Sequence, residues 1–241
     1  MTGRLLLEHK GIEYERRDLV PGAHVAIVKM LGFPDMTVPA VRIDGRRVQG
    51  TRGLARALDE LWPDPPLFPA DAAEREVIEE AERFGEQDLQ HAARRLFYCA
   101  GRRDPANFRS VVLGGESKLG PVRRLLVRAG ARGILWAATQ GHGATDDVCV
   151  QAIEDLPGML DRIDAWIRDG LLGGEVLTAA DLQIGANVRL LLLFEDLSPW
   201  IEGRPAAELA RRVAPVYPGR IGAVFPSEWL EPLWQTRQTR S

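Results

Sequence analysis

The chain has 241 residues, of which 45% are hydrophobic and 27% are charged, and its formal net charge at pH 7 is −3. This composition is typical of a globular protein with room for one large domain or two small ones. The weakly acidic balance disfavours a nucleic acid or an anionic membrane surface as the main partner.

The beginning of the chain predicts alternating helices and strands. Residues Arg4–Lys10 carry a leucine stripe typical of a helix, and Gly11 is a suitable C-terminal stop. Residues Ile12–Leu19 alternate apolar and charged side chains, which predicts a strand. A short helix over Val25–Leu31, closed by Gly32, follows a Pro-Gly break.

The most informative segment runs from Thr37 to Leu58 and predicts a strand–turn–strand–helix unit. After Val-Pro, apolar residues alternate as in a half-buried strand, and Asp44-Gly45 is a two-residue hairpin signal because a type I′ turn needs positive φ at both positions. Val48 continues the returning strand, and Thr51 is the predicted N-cap of the helix that follows.

A proline-rich stretch then predicts a linker, because it can sustain neither a helix nor a paired strand. The sequence thus predicts three parts: a domain over residues 1–63, a linker over 64–70 and an all-helical domain over 71–241. In the first helix of the second domain, Glu79, Glu80, Glu82 and Glu86 are predicted to point outward. The predicted helices beyond the linker are Asp71–Ala100, Val122–Arg128, Ile134–Thr139, Asp146–Asp169, Thr178–Phe194 and Gly203–Val213, followed by a tail rich in proline and glycine.

The helix that starts at Thr178 carries an N-terminal signature. The Thr178 hydroxyl can accept from the Asp181 amide while the Asp181 carboxylate accepts from the Thr178 amide, as in a capping box. Leu177 and Leu182 stand where a hydrophobic staple requires them. This helix is the most apolar in the chain and is the predicted core of the second domain.

These pieces, in this order, resemble the glutathione transferase family over most of the chain. The resemblance implies a thioredoxin-like α/β domain followed by an all-α helical-bundle domain, with glutathione bound on the first and an electrophile beside the second. The segments that carry it are Lys10–Tyr14, Val38–Pro39, Asp44–Gly45, Thr51 and the run from Leu172 to Asp181.

The resemblance also implies a set of residues that bind the thiol cofactor. Val38, before a cis Pro39, would pair through its backbone with the cysteinyl unit of glutathione, and Thr51 would bind a carboxylate at the helix N-terminus. The family usually has Glu or Gln directly before this Thr, whereas this chain has Gly50, with Gln49 one place earlier. The contact to the ligand's amino group is therefore expected to be missing or displaced, and another low-molecular-weight thiol is an open alternative to glutathione.

The thiol-activating residue cannot be assigned from the sequence. In the family it lies in a loop between a first strand and the first helix, whereas this sequence begins at Met1 inside the presumed helix. We therefore expect either a start codon upstream of Met1 or a rearranged, inactive domain. Thr2 is the only hydroxyl residue near the start of this helix.

The substrate pocket is expected at the first helix of the second domain. Arg94, Tyr98 and Arg102 are the candidates that the resemblance implies, although a solvated basic helix end explains the same residues. No histidine spacing predicts a metal site. Cys99 and Cys149 lie far apart in the sequence and form no Cys-x-x-Cys pair, so neither a redox motif nor a disulfide framework is expected.

The leading functional hypothesis is an enzyme that adds the thiolate of glutathione, or of another small thiol, to an electrophile. The alternative is a non-catalytic member of the same fold that binds ligands or proteins, and a third is an enzyme of the same fold that isomerises or dehalogenates its substrate. The resemblance implies a homodimer. No apolar run is long enough to span a bilayer and no signal peptide is visible, so we expect a cytoplasmic protein.

Overall fold

The computed structural model describes residues 1–19, 24–113 and 121–238 of the chain. Its first part holds one small antiparallel sheet with helices around it. The elements of this part are α1 (Thr2–His9), α2 (His24–Met30), β1 (Ala40–Ile43), β2 (Arg46–Gln49) and α3 (Thr51–Leu61).

The predicted hairpin is confirmed. Strands β1 and β2 pair antiparallel with Val41 opposite Val48. The turn residues Asp44 and Gly45 have φ of 48° and 81°, the positive values that a type I′ turn requires. The buried face of the hairpin lies next to α3, whose Leu54 and Leu58 are fully buried, whereas Leu61 at the end of the helix is exposed.

The strand predicted over residues 12–19 is wrong. These residues are extended, but among the described residues the sheet contains β1 and β2 alone. Ile12 and Tyr14 pack against the core, and the Tyr14 hydroxyl donates to Glu8 Oε1 at 2.9 Å. The alternation in the sequence therefore reflects one buried face of an unpaired extended segment, since burial and strand pairing produce the same period of two.

A buried lysine holds the proline-rich stretch against the first helix. Lys10 Nζ donates to the carbonyl oxygens of Trp62 and Pro65, each at 2.6 Å, and lies 3.4 Å from Asp59 Oδ1. The same Asp59 oxygen accepts from the Leu67 amide at 2.7 Å. The ammonium group of Lys10 and the carboxylate of Asp59 thus hold the chain between α3 and the next helix in place.

The rest of the described chain is helical, apart from connecting loops and a single parallel bridge between Phe194 and Ile221. None of the described helices combines the length and the apolar character that crossing a membrane needs. The helices are α4 (Ala72–Phe84), α5 (Gln90–Arg103), α6 (Pro105–Leu113), α7 (Pro121–His142), α8 (Asp146–Arg168), α9 (Ala179–Leu191), α10 (Ser198–Ile201), α11 (Pro205–Val213) and α12 (Ser227–Gln238).

The predicted continuous helix over residues 71–100 is interrupted. A π-helical turn over Gly85–Leu89 joins α4 to α5, and the Gln90 amide donates to the Gly85 carbonyl oxygen. Side-chain amides of Gln183 and Asn187 on α9 also donate to that carbonyl, each at 3.4 Å. The turn is a contact point between α9 and the first helices of this part, and the regular apolar spacing of the sequence does not reveal it.

Two other helix predictions need correction. The segments predicted as separate helices over 122–128 and 134–139 are one helix, α7, because the glycines between them weaken a helix by only about 1 kcal/mol each and do not end it. The tail rich in proline and glycine, for which no helix was named, contains α12, whose Leu230 and Leu233 are buried.

Helix α9 is the centre of the helical part, as the sequence predicted. Nearly all of its residues are buried, and it contacts α1, α4, α5 and α11. The capping box at its start is also confirmed. Asp181, fully buried, accepts through Oδ2 from the Thr178 amide and hydroxyl, both at 2.8 Å, and through Oδ1 from the Gly173 amide at 2.7 Å.

We expect Asp181→Ala to lower the free energy of unfolding by about 2–4 kcal/mol, because it removes a cap worth ~1 kcal/mol and leaves buried donors unpaired at ~1–3 kcal/mol. Urea denaturation followed by circular dichroism measures the change. The matched control is Asp155→Ala on α8, an exposed carboxylate that bonds only Gln151 of the residues described; it should shift stability by less than about 0.5 kcal/mol. Equal losses in the two variants would contradict the role of the buried cap.

Candidate functional site

The candidate site lies where α1, the start of β1 and the start of α3 meet. The Val38–Pro39 peptide bond is cis. A Cβ atom on Gly3 would lie 2.9 Å from Cβ and Cγ of Pro39, so α1 packs directly on the proline ring and only glycine permits this approach. Thr2, at the start of α1, is buried in the same region of the helix.

One backbone hydrogen bond joins the two sides of this site. The Gly50 amide donates to the Pro39 carbonyl oxygen at 2.9 Å, which brings Val38 and Thr51 to neighbouring positions at the end of the hairpin. The Val38 side chain is 48% exposed, and its backbone amide and carbonyl form no hydrogen bond within the described part of the chain. A peptide-like ligand can therefore pair with this backbone.

The start of α3 lacks a side-chain cap. Its N-cap is Gly50, with φ of 77° and ψ of 157°, and Thr51 is the first helical residue and not the N-cap that the sequence predicted. The positive φ of Gly50 ends the extended chain one residue earlier than expected. Because the first amides of a helix have no partner within it, an anion can be bound here, beside the mostly buried Thr51.

Gln49 does not replace the amide or acid that Gly50 lacks. Its Nε2 donates to the carbonyl oxygens of Asp35 and Thr37, both at 2.8 Å, and its Oε1 accepts from the Asp35 amide at 2.9 Å. The side-chain amide is thus fully used in fixing the loop before Val38.

An ion cluster ties α3 to α4 beside the site. Glu82, predicted to face outward, is 1% exposed, and its Oε2 accepts from Arg56 Nη1 at 2.9 Å and from Arg52 Nε at 3.2 Å. Its Oε1 is buried and has no hydrogen-bond partner among the residues that the structure describes. The prediction for Glu82 is wrong because α3 covers that side of α4, which the helical period of α4 alone cannot indicate.

Glu86 is a candidate that the sequence missed. It lies on the π-helical turn, where it is half-buried, and burial raises the pKa of its carboxyl. The positive charges of Arg52, Arg94 and Arg56 oppose this increase in pKa, whereas the charge of Glu82 adds to it. Glu86 was expected on the solvent side, and the π-helical turn changes the rotation of the helix at its position.

Arg94 and Tyr98, one turn apart on α5, are two of the predicted pocket residues, and they lie close together. Burial raises the pKa of Tyr98, and the charge of Arg94 counteracts it. Burial also raises the pKa of Tyr217 to about 12, against the charges of Arg189 and Arg94. Arg94 therefore lies near two tyrosines and Glu86, and it forms no ion pair with any residue that the structure describes. Tyr217 comes from the loop before α12, where no sequence pattern indicated it.

The structure places Arg102, the third predicted pocket residue, elsewhere. Arg102 forms an ion pair with Asp146 at the start of α8, and Arg103 reaches the same carboxylate at 3.2 Å. Two helical turns, about 12 Å, separate Arg102 from Arg94 along α5. Within the described ranges no group of three or more His, Cys, Asp and Glu side chains is arranged to hold a metal ion.

We expect Glu86→Gln to stabilise the protein at neutral pH. Because the folded state raises the pKa of Glu86, folding favours its protonated form, and stability falls as pH rises from the ordinary value of 4.5 through the raised one. The melting temperature of Glu86→Gln should exceed that of the wild type at pH 7 and approach it below pH 4.5. Glu76→Gln, an exposed position on α4, is the control and should match the wild type throughout. A difference in melting temperature between Glu86→Gln and the wild type that does not change with pH would contradict the raised pKa of Glu86.

Comparison with known proteins bears on the fold. No protein-family model and no curated protein matches the sequence. A solved structure of a glutathione S-transferase from Rhodospirillum rubrum F11 is similar over 96% of this chain and 93% of that one, with a TM-score of 0.52 and 17% sequence identity. The chain therefore has the glutathione S-transferase fold, a thioredoxin-like α/β domain followed by an all-helical domain.

Proposed function

We propose that this protein is a glutathione transferase-like enzyme that adds the thiolate of glutathione, or of another low-molecular-weight thiol, to an electrophile. The fold supports the proposal. The observation that carries it is the hydrogen bond from Gly50 to Pro39. This bond sets the Val38 backbone, which has no partner in the described ranges, beside the start of α3, which has no side-chain cap. A backbone edge that can pair with a peptide, at Val38, is thus adjacent to a helix N-terminus that can bind a carboxylate, at the start of α3.

In this proposal the Val38 amide and carbonyl pair antiparallel with the cysteinyl unit of the ligand. The first amides of α3 and the Thr51 hydroxyl bind the carboxylate of a γ-glutamyl group. Pro39 fixes the strand that presents Val38, and Gly50 lets the ligand approach bare backbone. Each of these residues contacts the ligand and does not react with it.

The reaction requires the thiol to be held as a thiolate near neutral pH. Lowering a thiol pKa from about 8.5 by about two units takes ~2.7 kcal/mol of preferential anion stabilisation. The start of α1, next to Pro39, contributes ~0.3–1 kcal/mol through its dipole, and up to ~2 kcal/mol in a partly buried site. Thr2 is the hydroxyl residue at that helix end and is our candidate donor.

We place the electrophile at Arg94 and Tyr98, with Tyr217 and Glu86 beside them. The charge of Arg94 acts on all three of these neighbours. A guanidinium without an ion-pair partner in the described chain favours an electrophile that carries a carboxylate or another negative charge. Arg102 is left out of this pocket because Asp146 holds it.

We also propose that the enzyme is a cytoplasmic homodimer and that its domains extend over residues 1–63 and 71–241. Resemblance to the family supports these points, and the segment 64–70 lies between α3 and α4. Light scattering on the purified chain tests the dimer.

A non-catalytic ligand-binding or protein-interaction role is the second candidate. Two observations favour it: Gly50 offers no side chain to the ligand's amino group, and the Gln49 amide is fully engaged by the loop before Val38. Binding of glutathione without conjugation would favour this role over the enzyme.

We expect glutathione to bind and Thr51→Ala to raise its dissociation constant about tenfold, because a hydrogen bond to a charged group is worth ~1.5 kcal/mol or more. Isothermal titration calorimetry measures the affinity. Thr51→Ser keeps the hydroxyl and should bind like the wild type. Thr145→Ala, at the N-cap of α8, is the matched control and should leave binding unchanged. If glutathione fails to bind the wild type, the proposal is wrong for this thiol.

We expect conjugation of glutathione to 1-chloro-2,4-dinitrobenzene and to the anionic 4-chloro-3-nitrobenzoate. Arg94→Gln should lower kcat/KM for the benzoate about tenfold or more while changing the neutral substrate little, because only the benzoate loses a charge-assisted hydrogen bond. Arg83→Gln, exposed on α4, serves as the control. A similar loss for both substrates would show that Arg94 does not recognise the negative charge.

A further inference from the structure

Cys99 and Cys149 come together where α5 packs against α8. Both side chains are fully buried and both are free thiols. The Cys149 thiol donates to the Arg95 carbonyl oxygen with 3.7 Å between sulfur and oxygen, one helical turn before Cys99 on α5. In α5 the Cys99 amide faces this same carbonyl, so the Cys149 sulfur lies against the helical turn that ends at Cys99. The two cysteines are therefore neighbours in the fold, although they lie far apart in the sequence.

The two thiols have opposite electrostatic surroundings. The Cys149 thiol lowers the pKa of Cys99, and Arg102 and Arg103 lower it further, against the effect of burial. The interaction with Cys99 raises the pKa of Cys149, and burial adds to the increase. These directions favour Cys99 as the thiol of the pair that ionises more readily.

A partly exposed arginine lies next to the buried Cys99 sulfur. Arg102 Nη2 lies 4.0 Å from Cys99 Sγ, and its side chain is 41% exposed. Asp146 binds both Arg102 and Arg103, and the Arg103 guanidinium lies 4.4 Å from the centre of the Trp229 ring. An oxidant can therefore reach the fully buried Cys99 sulfur only when the ion pair between Arg102 and Asp146 opens.

We propose that Cys99 and Cys149 form a redox-active dithiol, which a hydroperoxide converts into an intramolecular disulfide between α5 and α8. The juxtaposition of the two sulfurs under one exposed arginine carries this inference, which does not depend on the proposed transferase activity. Oxidants select thiols of low pKa that lie next to a second thiol and that solvent can reach, so the reaction requires a transient opening over Cys99.

The oxidation proceeds in two balanced steps. The Cys99 thiolate attacks the terminal oxygen of the hydroperoxide, the O–O bond breaks, and the departing oxygen takes a proton to leave water or an alcohol and Cys99 sulfenic acid. The Cys149 sulfur then attacks the Cys99 sulfur, the S–O bond breaks, and the Cys149 proton leaves with the hydroxyl as water. Two electrons pass from the two thiols to the hydroperoxide.

The disulfide would tie the C-terminal part of α5 to the start of α8 and close the chain over residues 100–148. Because α5 also carries Arg94 and Tyr98, oxidation fixes the helix that presents the proposed pocket. The dithiol is therefore a switch in the scaffold, since Cys99 directly follows Tyr98 and lies about one and a half helical turns after Arg94.

In the test, the reduced full-length chain is exposed to hydrogen peroxide and then denatured in the presence of N-ethylmaleimide. Mass spectrometry measures the intact mass of the product. We expect a mass lower by two hydrogen atoms with neither thiol labelled, and restoration of two labels after dithiothreitol. A tryptic digest without reductant should contain peptide 96–102 linked to peptide 133–162. Oxidation should also raise the melting temperature, because the new bond restricts the unfolded chain.

Two variants identify the order of attack. In Cys149→Ala, peroxide should leave a Cys99 sulfenic acid that dimedone captures, and in Cys99→Ala it should leave Cys149 unmodified. Labelling of both thiols after peroxide, a link between two chains, or oxidation of both sulfurs without a link would each overturn the proposal. The wild-type experiment alone decides the matter if either variant fails to fold.

Discussion

The hydrogen bond from the Gly50 amide to the Pro39 carbonyl oxygen holds the candidate site together. It closes the hairpin at the point where α1 packs on the proline ring through Gly3, and it fixes the start of α3 beside Val38. The ligand groups offered here are backbone amides and a carbonyl, whose positions depend on secondary structure more than on side-chain rotamers. The site is therefore as rigid as the hairpin and the two helices that form it.

The second constraint is the contact between the two parts of the chain. Arg52 and Arg56 of α3 converge on Glu82 of α4, and directly after α4 the helix widens into a π turn that α9 side chains hydrogen-bond. Glu86 and Arg94 therefore lie close to the contact between these two parts of the chain. The charges near the proposed pocket thus belong to the interface that holds the fold, so changing them alters stability together with binding.

Local signals predicted local structure well. The Asp44-Gly45 turn and the Thr178–Asp181 capping box were read correctly because each is decided by residues within a few positions. Burial of Glu86 and the meeting of Cys99 with Cys149 depend on how distant helices pack, and no spacing in one sequence encodes that. The strand expected over residues 12–19 failed for a related reason, since pairing needs a partner that alternation alone does not reveal.

The backbone angle of Gly50 has a chemical consequence for ligand choice. Space around its Cα is open, yet φ of 77° disfavours any residue with a Cβ, so this position cannot readily gain an acidic side chain. A thiol bound there meets helix amides that attract a carboxylate and nothing at residue 50 that attracts an ammonium group. For the thiol proposed above, recognition at residue 50 would then favour the anionic group of the ligand, and thiols without a free amino group would fit this position equally well.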